Sequence, residues 1–217
     1  MDLFCCNCSV RESTYFKDEE GSSPLPPKVI SPGEEGVLMP LANQGQLKEL
    51  DLDASDPQCI ILASCDGAAA EWNAHNSPQI YAFDRILQMN DEACTGQNLI
   101  KLLRSEEQTL QLRLQRPSKR LLYLKKPGQL GIDLTYADVT GPWKSSVRPW
   151  ITCIKEDGLV AEWNQKMPEL NVACHDRLLS VNGARGDSPS HLLDLLKKTF
   201  ARERDAVQLE VLHYGLG

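Results

Sequence analysis

Three cysteines near the N-terminus are the residues best suited to chemistry in this 217-residue chain. Cys5, Cys6 and Cys8 fall within four positions of one another. They follow the apolar pair Leu3 and Phe4. One acyl chain holds a protein on a membrane only marginally, whereas two or three hold it firmly. The cluster therefore favours S-acylation at these three cysteines over a zinc knuckle, because no His or further Cys lies at ligand spacing downstream.

Other reactive side chains do not form a catalytic or metal-binding pattern. Ser190, His191 and Asp194 are the residue types of a hydrolytic triad, but neither a GxSxG turn nor an oxyanion-hole pattern accompanies them. The four histidines lack the spacing of a zinc site. We therefore expect no enzymatic activity, no metal and no cofactor.

The acidic run 51–55 begins like a calcium-binding loop. Its sixth and twelfth positions are Asp56 and Leu62, where such a loop needs Gly and Glu. We interpret the run as a solvated charge cluster between a strand and a loop.

The net charge of -7 lies entirely in the first quarter of the chain. Residues 1–57 contain 11 acidic and 4 basic residues, which leaves 19 of each sign in residues 58–217. Nucleic-acid binding depends on clustered Lys and Arg, so we exclude it as a main activity. The sequence begins with no basic and apolar leader, which favours a cytoplasmic protein, or one associated with a membrane surface through its cysteines.

An internal repeat decides the domain organisation. The segment 66–73 recurs at 157–164 with six identities in eight positions, and 84–91 recurs at 176–183. Two shorter blocks, 45–47 and 99–103, also recur at 128–130 and 192–196. Four blocks in the same order cannot plausibly arise by chance. We predict a disordered tail over residues 1–36, a first copy over 37–116 and a second copy over 119–214.

Each copy has the pattern of a small, mainly β, α+β domain. In the second copy, strands are predicted at 121–124, 130–136, 147–154, 177–181 and 207–211, and helices at 158–164 and from Ser188 onward. Leu192, Leu193 and Leu196 give that last helix an apolar face. Five or six strands and two helices indicate a partly open barrel or sandwich.

The second copy resembles a PDZ domain over essentially its whole length. Gln129-Leu130-Gly131-Ile132 is similar to the Gly-Leu-Gly-Phe carboxylate loop of that family. The segment 175–183 (HDRLLSVNG) resembles the signature Gly-Asp-Arg-Ile-Leu-x-Val-Asn-Gly. The first copy is identified with the same family through the repeat, so the chain resembles two tandem PDZ-like domains.

The resemblance implies that an extended peptide, usually a protein C-terminus, adds as a strand beside residues 132–136. Backbone N–H groups of the loop would contact the terminal carboxylate, and Gly131 would let the backbone approach closely. The implied peptide-binding residues are Leu130, Gly131, Ile132, Asp133, Leu134, Pro189, His191, Leu193 and Leu196, with Lys125 and Lys126 as contacts for the carboxylate.

Several positions depart from the family pattern. The groove-facing first residue of the second helix is Pro189, or His191 if the alignment shifts by two, so the class of ligand stays open. In the first copy, Glu49 replaces the loop glycine and would repel a carboxylate. The glycine before the Asp-Arg pair is Phe83 in one copy and His175 in the other.

Two functional hypotheses follow. The first is a non-enzymatic adaptor or scaffold that binds peptide strands or C-termini, mainly through the second copy. The alternative is a membrane-tethered structural protein with closed or degenerate grooves, anchored by N-terminal S-acylation. The sequence does not indicate an oligomeric state.

Overall fold

The structure, a computed structural model, forms two compact units. It describes residues 36–42, 44–104, 109–125, 127–137, 146–201 and 206–216. Of these, 36–52 and 57–116 belong to the first-repeat unit, and 53–56 and 117–216 to the second-repeat unit. The predicted acylation sites Cys5, Cys6 and Cys8, and the predicted carboxylate contact Lys126, lie outside the described residues. Across the described part of the chain, no helix is long and apolar enough to cross a membrane.

The first-repeat unit is an antiparallel sheet with three helices. Its strands are β1 (Val37–Leu41), β2 (Leu52–Asp53, of which only Leu52 belongs to this unit), β3 (Ile61–Leu62), β4 (Arg85–Met89), β5 (Glu92–Ala93) and β6 (Leu110–Gln115), and its helices are α1 (Gln44–Glu49), α2 (Ala68–His75) and α3 (Gly96–Arg104). The strand order is β1-β6-β4-β3-β2, and β5 pairs with β4. β6 lies centrally because Leu110, Leu112 and Leu114 alternate with polar residues and bury their side chains on one face.

The second-repeat unit has the same kind of architecture. Its strands are β7 (Ser118–Lys125), β8 (Ile132–Thr135), β9 (Trp150–Ile154), β10 (Arg177–Val181) and β11 (Ala206–His213), and its helices are α4 (Leu159–Lys166), the 3₁₀ turn Pro168–Leu170 and α5 (Pro189–Ala201). The strand order is β7-β11-β10-β9-β8. α5 begins at Pro189, where a missing N–H costs nothing, and its apolar stripe Leu192, Leu193 and Leu196 is buried in the core.

The predicted fold class is confirmed: both sheets are antiparallel, a few helices accompany them, and neither sheet closes into a barrel. Two strands of the second copy are shorter than predicted. The strand predicted from residue 130 begins at Ile132, because residues 127–131 form a loop. The strand predicted from residue 147 begins at Trp150.

A buried aspartate anchors the corresponding turn in each unit. Asp84 accepts the Tyr81 N–H at 2.9 Å and pairs with the Arg116 guanidinium at 3.2 Å. Asp176 accepts the Ala173 N–H at 2.8 Å. Each carboxylate therefore holds the backbone three residues before it, which explains why both copies contain an Asp at this position.

The residue before each of these aspartates has a left-handed backbone. Phe83 has φ of 73° and His175 has φ of 72°, a conformation that costs a residue with a side chain about 1–2 kcal/mol. His175 Nδ1 lies 2.9 Å from Asp56 Oδ2. The left-handed turn is thus formed without glycine in both copies, and in the second-repeat unit a contact with the Asp56 carboxylate holds the His175 ring.

A fully buried ion pair joins residues 53–56 to the start of β10. Asp53 Oδ2 and Arg177 Nη1 are 2.5 Å apart, and both side chains have 0% exposure. Arg177 also donates to the Arg148 carbonyl at 3.2 Å, and Asp53 accepts the Val147 N–H at 2.9 Å. Because both charges carry additional hydrogen bonds, their burial is compensated.

The interpretation of residues 51–55 as a solvated charge cluster was wrong for Asp53, although Asp51 is exposed. Asp53 and Asp56 have exposures of 0% and 1%. The same segment also contributes Ser55, whose hydroxyl accepts a hydrogen bond from Ser146 Oγ at 2.8 Å and donates one to Asp53. Acidic residues at a strand end are usually solvated, but here hydrogen-bond donors and a cation surround them.

We predict that Asp53→Ala lowers the free energy of unfolding by about 3–5 kcal/mol, because it leaves the Arg177 charge buried and unpaired. Asp51→Ala, an exposed acid two residues earlier, is the matched control and should stay within about 0.5 kcal/mol of the wild type. Urea unfolding followed by tryptophan fluorescence measures both. Equal effects of the two substitutions would contradict the assignment.

Candidate functional site

The strand that the resemblance assigns to peptide binding lies at an edge. β8 is the last strand in the order of its sheet and pairs with β9. The Lys155 N–H donates to the Gly131 carbonyl at 2.8 Å, and Ile132 lies opposite Ile154. This makes Ile132 and Ile154 a non-hydrogen-bonded pair, so the N–H and C=O of Ile132 point away from β9. They are available at the open edge.

Two carbonyl groups of the loop before β8 are hydrogen-bonded to α4. The carbonyls of Gln129 and Leu130 accept the N–H groups of Leu159 and Val160 in the first turn of α4, at 2.9 and 3.2 Å. Among the described residues, no acceptor takes the N–H groups of Leu130 and Gly131. Two adjacent N–H groups beside an open strand edge are therefore a candidate site for a carboxylate.

Close contact between two glycines sets the position of this loop. Gly131 has φ of +73°, and a Cβ built on it would lie 2.3 Å from the Gly158 Cα atom. A Cβ built on Gly158 would likewise lie 2.3 Å from Gly131 Cα. Both the left-handed conformation and the approach of the two backbones therefore require glycine at position 131.

The predicted groove side chains come together, but as part of the core. Ile132, Leu134, Leu193 and Leu196 belong to one apolar cluster, and their exposures are only 8%, 2%, 2% and 3%. A ligand side chain would therefore contact the outer edge of an existing core.

The other predicted groove residues on α5 are more exposed. Pro189 is half-buried at the start of α5. His191 is exposed, and its Nδ1 accepts the Asp187 N–H at 3.3 Å and lies 3.4 Å from Asp187 Oδ2. This pairing directs the imidazole toward the preceding turn. Ser190 Oγ hydrogen-bonds to Ser188 Oγ at 3.0 Å, so Ser190, His191 and Asp194 share no triad hydrogen bonding among the contacts of the described residues.

Charged side chains lie on the outer face of β8 and around the loop. Lys155 Nζ is 2.9 Å from Asp133 Oδ1, and hydrogen bonding to this carboxylate raises the pKa of Lys155. Lys125 is exposed at the end of β7. The sequence prediction included Asp133 and Lys125 but missed Lys155, because the strand was predicted to end at Ile154. Continuing the alternation of β9 by one residue would have placed Lys155 beside Asp133.

The corresponding loop of the first-repeat unit is a helix. α1 covers residues 44–49, and it buries Leu47 and directs Lys48 and Glu49 to solvent. The strand that follows, β2, is only two residues long, and both residues are buried. Glu49 stands where the second copy has Gly131, and the backbone there is helical rather than a left-handed turn. The degenerate loop predicted from Glu49 has this form.

The repeated tryptophans pack within their units. Trp163 contacts the core of the second-repeat unit, and its Nε1 donates to the Leu170 carbonyl at 3.0 Å. Trp72 lies partly buried at the equivalent position. Within the described ranges, no group of three His, Cys, Asp or Glu side chains could hold a metal ion.

We predict that Gly131→Ala destabilises the chain by about 1–3 kcal/mol more than Gly183→Ala does. Both glycines have positive φ, +73° and +78°, so both variants place a side chain on strained left-handed backbone. Only at position 131 does the new Cβ meet other atoms, since nothing lies within 4 Å of a Cβ at Gly183. Equal unfolding free energies of the two variants would contradict the tight contact with Gly158.

Comparison with known proteins finds PDZ domains among the solved structures, whereas no protein-family model and no curated protein matches the chain. The second PDZ domain of Dlg1 from the choanoflagellate Monosiga brevicollis is 18% identical, with a TM-score of 0.33, and the match covers 45% of this chain and 100% of that chain. The INAD PDZ45 structure in complex with NORPA CC-PBM is 15% identical, with a TM-score of 0.34, and the match covers 85% of this chain and 95% of that chain. The N-terminal PDZ domain of InaD in complex with a NorpA C-terminal peptide is 20% identical, with a TM-score of 0.33, and the match covers 45% of this chain and 98% of that chain.

At these TM-scores the similarity carries no argument about what this chain binds. The solved structures to which the chain is similar are PDZ domains, alone and in tandem, as the resemblance of its repeats predicts.

Proposed function

We propose that this protein is a non-enzymatic interaction adaptor whose second-repeat unit binds an extended peptide, a protein C-terminus or an internal strand, by adding it to β8. The observation that carries the proposal is the pair of unpartnered N–H groups of Leu130 and Gly131 beside the open edge of β8.

The strand edge supplies the orientation of the ligand. A peptide antiparallel to β8 would exchange hydrogen bonds with the N–H and C=O of Ile132, which point away from β9. Its terminal carboxylate would then lie at the N–H groups of Leu130 and Gly131. Hydrogen bonds to an ionised acceptor are roughly twice as strong as neutral ones, so the terminus contributes much of the affinity.

Side chains of the added strand would alternate between two environments. One set would face Ile132, Leu193 and Leu196, so an apolar last residue fits that side. The other set would lie beside Asp133 and Lys155 on the outer face of the sheet.

The first-repeat unit does not present the same surface. Its equivalent of β8 has two buried residues, and α1 replaces the loop. Peptide binding of this kind is therefore assigned to the second-repeat unit, and a scaffold role would use the first-repeat unit in another way.

We expect C-terminal peptides selected from a random library to bind the full chain, and amidation of their carboxylate to weaken binding about tenfold or more, because it removes a charge-assisted acceptor. Fluorescence polarisation with matched acid and amide peptides measures this difference.

Amide chemical-shift changes should concentrate at residues 130–135 and along α5, and residues 47–52 of the first-repeat unit should not respond. Selection of no peptide, or equal binding of acid and amide, would refute carboxylate recognition.

We predict that Lys125→Ala weakens binding of the acid peptide about two- to fivefold at low salt, because an exposed cation near a carboxylate contributes only a modest attraction. Lys119→Ala is the matched control, since Lys119 lies at the other end of β7 and pairs with Glu210 at 3.4 Å. The effect of Lys125→Ala should shrink at high salt. If both substitutions weaken binding equally, Lys125 has no specific contact with the carboxylate.

A further inference from the structure

Two cysteines lie near each other in the second-repeat unit. Cys153 is exposed in β9, and Cys174 is half-buried in the segment that leads into β10. β9 and β10 are antiparallel, with Trp150 opposite Arg177. Beyond that pair, the Ile151 N–H donates to the Asp176 carbonyl and the Ile151 carbonyl accepts the His175 N–H, so two residues lie opposite Ile151. Cys174 therefore lies opposite Thr152, next to Cys153.

Hydrogen bonds bring the two thiols together. The His175 N–H donates to the Ile151 carbonyl at 2.8 Å, and Cys174 Sγ lies 3.5 Å from the carbonyl oxygen of Thr152. That carbonyl belongs to the peptide bond whose nitrogen is that of Cys153. From standard peptide dimensions, Cys174 Sγ is thus within about 6.5 Å of the Cys153 Cα atom. Neighbouring strands lie about 4.8 Å apart and rise about 3.4 Å per residue, so residues one position away from direct opposition have Cα atoms about 6 Å apart. A disulfide joins Cα atoms about 4.4–6.8 Å apart, so a change of side-chain rotamer could bring the sulfur atoms into bonding distance.

The two thiols differ in environment. Cys153 is exposed, and Lys155 lies two residues along the same strand, on the same face. Burial, and then the nearby Cys153, raise the pKa of Cys174. Cys153 is therefore the thiol that a solvent oxidant reaches first, and Cys174 is the second thiol that closes the bond.

We propose that Cys153 and Cys174 form an oxidisable dithiol site whose oxidant is a hydroperoxide. The Cys153 thiolate attacks one peroxide oxygen, the O–O bond breaks, and after proton uptake the products are a sulfenic acid and water or an alcohol. The Cys174 thiolate then attacks the sulfenic sulfur, an S–S bond forms, and hydroxide leaves. The two electrons lost by the thiols reduce the peroxide.

Three other described cysteines provide internal controls. Cys59 and Cys94 are buried, with exposures of 0% and 3%, and burial raises the pKa of Cys94 to about 12. Cys65 is half-buried, and its Sγ lies 3.6 Å from the Ile80 carbonyl oxygen. None of the three has the exposure of Cys153, so a site-specific oxidation should leave them reduced.

Peptide mapping of the full chain tests the proposal. Trypsin releases residues 145–155 and 167–177, each of which contains a single cysteine. Reduced protein is treated with a small molar excess of hydrogen peroxide, alkylated, and digested without reductant. We expect a cross-linked species of these two peptides that dithiothreitol separates, while Cys59 and Cys94 are recovered in the reduced state.

Variants separate the roles of the two sulfur atoms. In Cys174→Ser the sulfenic acid of Cys153 should persist and react with dimedone, whereas in Cys65→Ser the cross-link should form as in the wild type. Circular dichroism confirms that both variants are folded. Absence of the cross-linked species in the wild type, or cross-linking of Cys153 equally to several cysteines, would overturn the proposal. Neither result bears on peptide binding, which is measured separately.

Discussion

An arginine without exposed surface requires a compensating carboxylate, and in the second-repeat unit that carboxylate is Asp53. The pair fixes the first residue of β10, whose following residues enter the core. It also holds Val147 and the carbonyl of Arg148, which precede β9. β9 is the strand that pairs with β8. The position of the candidate binding edge therefore depends on this buried charge pair.

In the candidate site, the backbone carbonyl groups and the backbone N–H groups of the loop before β8 differ in their hydrogen bonding. Loop carbonyls are satisfied by N–H groups of α4, while the N–H groups of Leu130 and Gly131 have no acceptor in the described part of the chain. An exposed strand edge is ordinarily a liability, because it can pair with any extended chain. Here the edge is only four residues long and adjoins a site for a negative charge, which would limit pairing to chains that end or turn there.

Local signals predicted much of this fold. The repeat, the turn pair Asn182-Gly183 and the proline at the start of α5 located β10 and α5 correctly, because each is set by residues close in sequence. The loop at Gly131 could be predicted for the same reason. By contrast, α1 was not predicted, because the repeat predicted the same loop in both copies, whereas residues 44–49 form a helix.

Other features depend on contacts that a single sequence does not display. The left-handed turns at Phe83 and His175 could not be predicted, since their residue types argue against that conformation. The burial of Asp53 likewise depends on a partner 124 positions away. During synthesis from the N-terminus, residues 53–56 exist long before Arg177 is made. The buried pair therefore cannot form until residue 177 has been synthesised, and it closes a loop of 124 positions that contains most of the first-repeat unit.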